Sequence, residues 1–175
     1  MSDVKRYHPA LVMLHWLLAL AIFGVFIVGA FVLDDMKNDV PQKVLLLKLH
    51  VLGGLTILVL TAVRLLVRMK TARPAPVVTD NPKMDKIGTG VQHLLYALTL
   101  LAAISGMVLA SKHDLLAILF KGAGSLPESF EGAAHSAHGL MAMGLILFSL
   151  VHIAGALKHQ FVLKNNLLDR MKLGK

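Results

Sequence analysis

The run from Ala133 to His159 is apolar over nearly its whole length, and yet it carries His135, His138, His152 and His159. Up to Leu157 it contains no Asp, Glu, Lys or Arg, and a helix needs about 20 such residues to cross the hydrocarbon core of a bilayer. At about 1.5 Å per residue the step from His138 to His152 covers roughly 21 Å, and at about 100° per residue it ends some 40° short of four turns. Both imidazoles therefore share one face of a spanning helix, one near each membrane surface. Ionisable groups inside a membrane mark function by default. Imidazole is the usual ligand of b-type centres, so two imidazoles at two depths describe two stacked haem sites.

The remainder of the chain repeats the membrane pattern. A short polar tail with Lys5 and Arg6 leads into an apolar run over residues 10–33, too long for the apolar core of a cleaved signal peptide and read as a retained helix. A polar turn follows, with Pro41 suited to a helix start, and a second span covers residues 44–67. Lys70 to Lys86 reads as a linker, with Pro74, Pro76 and Pro82, before a third span over residues 88–110. Leu115 to Phe120 is too short to span and reads as an interfacial helix or as a loop packed on the bundle. The fourth span covers residues 133–159, and a basic tail begins at Lys164. The expectation is a single domain over residues 1–175, an all-α integral membrane four-helix bundle. At 56% hydrophobic, 16% charged and a mean hydropathy of +0.69 the chain does not resemble a soluble globular domain. The absence of cysteine excludes disulfides, iron–sulfur clusters and thiolate metal sites.

A net charge of +8 raises nucleic acid as a partner, but no nucleic-acid-binding module is present and the basic residues flank the spans. With both termini cytoplasmic, thirteen of the 18 Lys and Arg fall on that side, which fixes the orientation by the positive-inside rule. The opposite face keeps Lys37, Lys43, Lys48, Lys112 and Lys121 against six acids. Each histidine then acquires a depth. His15 and His152 are level, both roughly 8 to 9 Å from the cytoplasmic boundary. His50 and His138 are similarly close to the outer one, so each layer holds two imidazoles.

Gly53, Gly54, Gly139 and Gly155 stand beside these positions. They make room for a flat macrocycle, or they simply allow close helix packing. Arg64 lies 14 residues after His50 on nearly the same face and reads either as a partner for a haem propionate or, with Arg68, as an anchor at the headgroups. Trp16 reads as an interface anchor.

Leu14-His15-Trp16-Leu17, Lys48-Leu49-His50, His93-Leu94-Leu95-Tyr96, His138-Gly139 and Val151-His152 occur in an order and spacing that resembles the bacterial cytochrome b561 family, within the wider group of cytochrome b subunits of formate dehydrogenases and nickel–iron hydrogenases. The resemblance covers essentially the whole chain. It implies two haem b groups, an inner one on His15 and His152 and an outer one on His50 and His138. It also implies quinone chemistry in a bacterial inner membrane. His93 shares the inner layer and is expected to support a ligand or pair with a propionate, the alternative being that it is itself a ligand. His159, almost two turns beyond His152, is expected to donate to a quinone or to be an interfacial histidine; His8, His113 and His135 read as interfacial or solvated.

A haem iron with two imidazoles has no open position, so electron transfer is expected rather than oxygen binding at the metal. Stand-alone members of the resembled family oxidise superoxide at the outer face and reduce ubiquinone. This short chain with no added domain resembles those, with Lys48 near His50 and Lys112 or Lys121 as local attractants for the anion. The alternative is a subunit that passes electrons between a periplasmic hydrogenase or dehydrogenase and quinone. A structural or sensor protein whose histidines bind zinc is a third reading.

Overall fold

The computed structural model describes residues 4–173, and among them every regular element is helical. α1 (Pro9–Ile27) continues as a π segment, Val28–Leu33. α2 (Pro41–Lys70), α3 (Pro82–Lys112), the short α4 (Leu115–Lys121) and α5 (Ala133–Leu157) follow. α5 also continues as a π segment, Lys158–Val162, ahead of a 3-10 turn, Leu167–Met171. Four of these helices, Pro9–Leu33, Pro41–Lys70, Pro82–Lys112 and Ala133–Val162, are long and apolar enough to cross a membrane. α1 packs on α2, α2 on α3 and α3 on α5.

α2 and α3 begin earlier and end later than hydropathy alone predicts, whereas the first span ends at Leu33 and the fourth begins at Ala133, as expected. α2 and α3 both start with proline at the first position, where a missing N–H costs nothing and the fixed φ suits a helix. Asn81 caps α3 by accepting from Lys83 N at 3.2 Å and Met84 N at 3.3 Å. That cap starts the helix six residues before the apolar run, inside the stretch expected to be a linker. Hydropathy marks the part of a helix that suits lipid; caps and prolines mark where the backbone starts to coil.

Few side chains are fully buried, and large apolar ones such as Leu20 and Met69 are among the most exposed, as suits a bundle solvated by lipid. The compact exception lies at the end of the bundle away from the chain termini. There Ala110, Leu115 and Leu119 form a buried cluster with Leu47, Val51 and Phe130 around it. α4 is thus packed on the bundle by one face, with Asp114 (φ 48°) before it and Gly122 (φ 67°) closing it, the latter in the left-handed conformation that glycine adopts freely. Asn38 ties the adjoining loops by donating to the Pro127 carbonyl at 2.6 Å. We call this the loop end.

At the other end, the terminal end, the C-terminal segment folds back over the helices. Trp16 Nε1 donates to the Met171 carbonyl at 3.1 Å, Arg170 donates to the Ala75 carbonyl at 2.7 Å, and Tyr7 N donates to the Arg170 carbonyl at 3.2 Å. The indole expected to anchor in the interface therefore also fastens the tail of the chain.

Candidate functional site

Two histidine pairs face one another at different levels of the bundle. At the terminal end His15 of α1 and His152 of α5 bring their ring centres to 6.2 Å, with planes inclined at 75°. At the loop end His50 of α2 and His138 of α5 do the same at 6.0 Å and 83°. All four rings are half-buried.

The loop-end imidazoles are seated by backbone. His138 Nδ1 lies 3.0 Å from the Ala102 carbonyl and 3.3 Å from Ser105 Oγ. A carbonyl can only accept, so Nδ1 carries the ring proton and the Nε2 lone pair is free for a metal. α3 comes this close because position 106 is glycine: a Cβ there would stand 3.0 Å from His138 Cε1. Gly29, in the π segment after α1, provides the matching seat for His50, whose Cε1 would be 2.7 Å from a Cβ at that position. The His50 ring faces the Val25 backbone, although its Nδ1 closes no hydrogen bond of ordinary geometry. Between the two rings, Gly54, Ile57, Thr99 and Ala102 help to line a small half-open apolar cavity of about 80 Å³.

The terminal-end pair is seated by side chains. Arg64 of α2 donates to the Tyr96 hydroxyl at 2.5 Å, lies with its guanidinium carbon 5.2 Å from the Tyr96 ring centre, and points its other terminal nitrogen at His15 Nδ1, 3.4 Å away. Arg64 Nε is buried with no hydrogen-bond partner.

The other sequence candidates fall outside these pairs. His93 is exposed on α3, with no hydrogen bond or ring contact. His159 lies in the π segment after α5, its Nδ1 accepting from the Asn165 side-chain amide at 2.8 Å. Lys48 holds its Nζ 4.9 Å from the centre of the Phe120 ring on α4. Of the glycines next to histidines, Gly53 serves helix packing, since a Cβ there would strike Val25 at 2.5 Å, whereas Gly54, Gly139 and Gly155 have nothing within 4 Å of that position. Sequence reasoning missed Gly29, Gly106, Ser105 and the role of Tyr96. The cluster Ala102-Ala103 and Ser105-Gly106 on α3 was a usable sign of close approach by another helix; nothing local distinguished Gly29.

A family model described as prokaryotic cytochrome b561 matches residues 6–174. The chain belongs to the prokaryotic cytochrome b561 family. It is 33% identical over 174 residues to "Cytochrome b562" of Cereibacter sphaeroides, covering 98% of each chain. It is 27% identical over 183 residues to "Cytochrome b561 homolog 2" of Escherichia coli K12, covering 98% of this chain and 93% of the relative. As a cytochrome b561-family protein it is an electron-transfer protein, and the family implies haem b.

The loop-end residues fit that group, and the terminal-end pair fits it with the ring proton on His15 Nδ1, which makes the 3.4 Å approach of the Arg64 guanidinium a contact between two donors rather than a hydrogen bond. The facing imidazoles, with ring centres 6.2 and 6.0 Å apart, would leave room for one metal ion within each pair. The Nδ1 contact of His138 to a carbonyl is the kind of support that orients metal-ligating histidines. Among the described residues no three His, Asp or Glu converge, whereas a zinc site takes at least three protein ligands.

Proposed function

We propose that this cytochrome b561-family protein holds two haem b groups, one between His15 and His152 and one between His50 and His138, and that it oxidises superoxide at the periplasmic face of a bacterial inner membrane and reduces ubiquinone. The observation that carries this reading is the pair of facing imidazole couples at two levels of α5. In the orientation favoured by flanking charge the terminal end is cytoplasmic and the loop end periplasmic. Bis-imidazole haem iron supplies one-electron transfer and offers no position at which oxygen could bind.

The chain's own residues divide the remaining work. Lys48, at the periplasmic rim and held near the Phe120 ring, draws the superoxide anion towards His50. Each superoxide gives up one electron and leaves as oxygen. Ubiquinone takes two electrons and two protons to become ubiquinol, so two superoxides are consumed for each quinone. His159, fixed through Nδ1 by Asn165, keeps Nε2 for hydrogen bonding and proton delivery to the quinone on the cytoplasmic side. Arg64, with a buried Nε that lacks a partner, is placed to hold a haem propionate; His93 is a weaker second candidate, being exposed.

One observation favours a second reading. α4 leaves Leu116 54% and Phe120 42% exposed at the loop end, an apolar edge on which a periplasmic hydrogenase or dehydrogenase would dock to feed the same haems. The experiment that separates the two is haem quantitation on the purified protein, followed by rapid mixing with superoxide, with and without a ubiquinone analogue. Two b haems per chain that superoxide reduces and quinone reoxidises are expected. Two haems inert to superoxide would transfer the reading to the partner-fed subunit, and absence of a Soret band would overturn it.

A further inference from the structure

The two histidine pairs share one donor set but not one electrostatic environment. At the terminal end Arg64 is the charged neighbour of both His15 and His152. At the loop end the titratable neighbours of His50 and His138 are each other and His135. Of the five lysines of that end, Lys43 is buried with its Nζ donating to the Met36 carbonyl, Lys48 stands against Phe120, and none contacts His50 or His138. The neutral groups differ in the same sense. The Ala102 carbonyl accepts from His138 Nδ1, which makes that imidazole more basic and a better partner for ferric iron. His15 Nδ1 instead meets a guanidinium at 3.4 Å, so any growth of positive charge on the ring is opposed.

From this asymmetry we infer that Arg64, held in place by Tyr96, is a positioning residue that makes the terminal-end site the stronger electron acceptor, so that an electron entering at the loop end falls towards the terminal end. The inference rests on the di-haem reading above and deepens it by giving transfer a direction. The electron balance is simple: one haem iron is oxidised from ferrous to ferric at the loop end as the other is reduced from ferric to ferrous at the terminal end. A cation favours the state with less positive charge, the ferrous one. Arg64 is half-buried in an apolar bundle, where a charge is screened far less than in water. A unit charge lying closer to one site than to the other, at an effective dielectric near 20, biases the electron's distribution between the sites by on the order of ten-fold.

The test is an optical redox titration of the full-length protein in lipid nanodiscs. Two waves are expected in the wild type. His138→Ala, which removes a loop-end ligand, should abolish the wave of lower midpoint and so assign the higher one to the terminal end. Arg64→Met should move the higher wave down and leave the lower one in place, cutting the relative occupancy of the terminal-end site about ten-fold. Arg64→Lys should restore most of the difference. Tyr96→Phe, which keeps the cation but removes the hydroxyl that holds it, should produce a smaller fall in the same wave. It decides the matter if Arg64→Met does not bind haem. The inference is overturned if the higher wave belongs to the loop end, if Arg64→Met shifts both waves equally, or if neither Arg64→Met nor Tyr96→Phe moves the upper wave. A preparation with one haem per chain, or none, would instead overturn the di-haem reading itself.

Discussion

Gly29→Ala isolates the seating of an imidazole from every other property of the bundle. The added Cβ would stand 2.7 Å from His50 Cε1 and 3.3 Å from Nδ1, against about 3.5 to 4.0 Å for carbon atoms in favourable contact. Relief requires the ring to move by roughly 1 Å, or α1 to move away from α2. Overpacking of this kind costs about 1 to 3 kcal/mol. A metal site tolerates only about 0.2 Å in its ligand distances, so the displaced His50 cannot serve its partner and the loop-end haem should be lost. Alanine is the better helix former by up to about 1 kcal/mol, which acts in the opposite direction, so a loss of haem must come from the contact. Gly24→Ala is the matched control on the same helix, because nothing lies within 4 Å of its Cβ position. Haem per chain, measured as the pyridine haemochrome on detergent-purified protein, should fall from two to one in Gly29→Ala and stay at two in Gly24→Ala. Two haems with an unchanged low-spin electron paramagnetic resonance spectrum in Gly29→Ala would refute the reasoning.

The ligand assignment makes a reciprocal forecast: His50→Ala and His138→Ala should each leave only the terminal-end haem, while His15→Ala and His152→Ala leave only the loop-end one, as read by redox titration of single variants. Ser105→Ala should keep both haems, because the Ala102 carbonyl still accepts from His138 Nδ1, and should cost no more than about 1 kcal/mol in thermal stability. Trp16→Phe removes the hydrogen bond to the Met171 carbonyl; the C-terminal segment should become sensitive to limited proteolysis, at a cost of about 1 kcal/mol, with both haems retained. His159→Ala should slow reoxidation by the quinone analogue while leaving the rate of reduction by superoxide unchanged in rapid mixing, and equal slowing of both steps would remove His159 from the quinone site.

The bundle was legible because lipid imposes its own alphabet. Runs of apolar residues give the four spans, and the step from His138 to His152 gives two levels on one face before any contact is known. What hydropathy misses is carried by other physics. The first turns of α3 are polar and exposed, so only Asn81 and Pro82 reveal that the helix has begun. The C-terminal segment reads as a basic tail because two of the groups that fasten it, the Met171 and Arg170 carbonyls, belong to the backbone and have no letter in the sequence, and the Arg170 guanidinium, which donates to the Ala75 carbonyl, looks like one more basic residue of the tail.

The least legible part of the site is the space around the imidazoles. Residues that donate or carry charge declare themselves by type: Arg64 stood out as a cation in an apolar helix, and the structure supplied only its partner, Tyr96. A requirement for empty volume has no such signature. Gly24 and Gly29 are both glycines five residues apart at one end of one span. The first has open space at its Cβ position, and the second leaves room for the His50 ring. The difference between them is set by the register of that span against α2, including the π turns that begin at Val28, and register is a property of two helices together. The same holds for Gly106 and His138 across α3 and α5. Of the glycines beside the histidines in sequence, Gly54, Gly139 and Gly155 leave open space, whereas the glycines that seat the imidazole rings stand on the helices those rings face. Within one helix neighbouring side chains diverge by about 100°, so the residues that make room for an imidazole must come from the helix it faces.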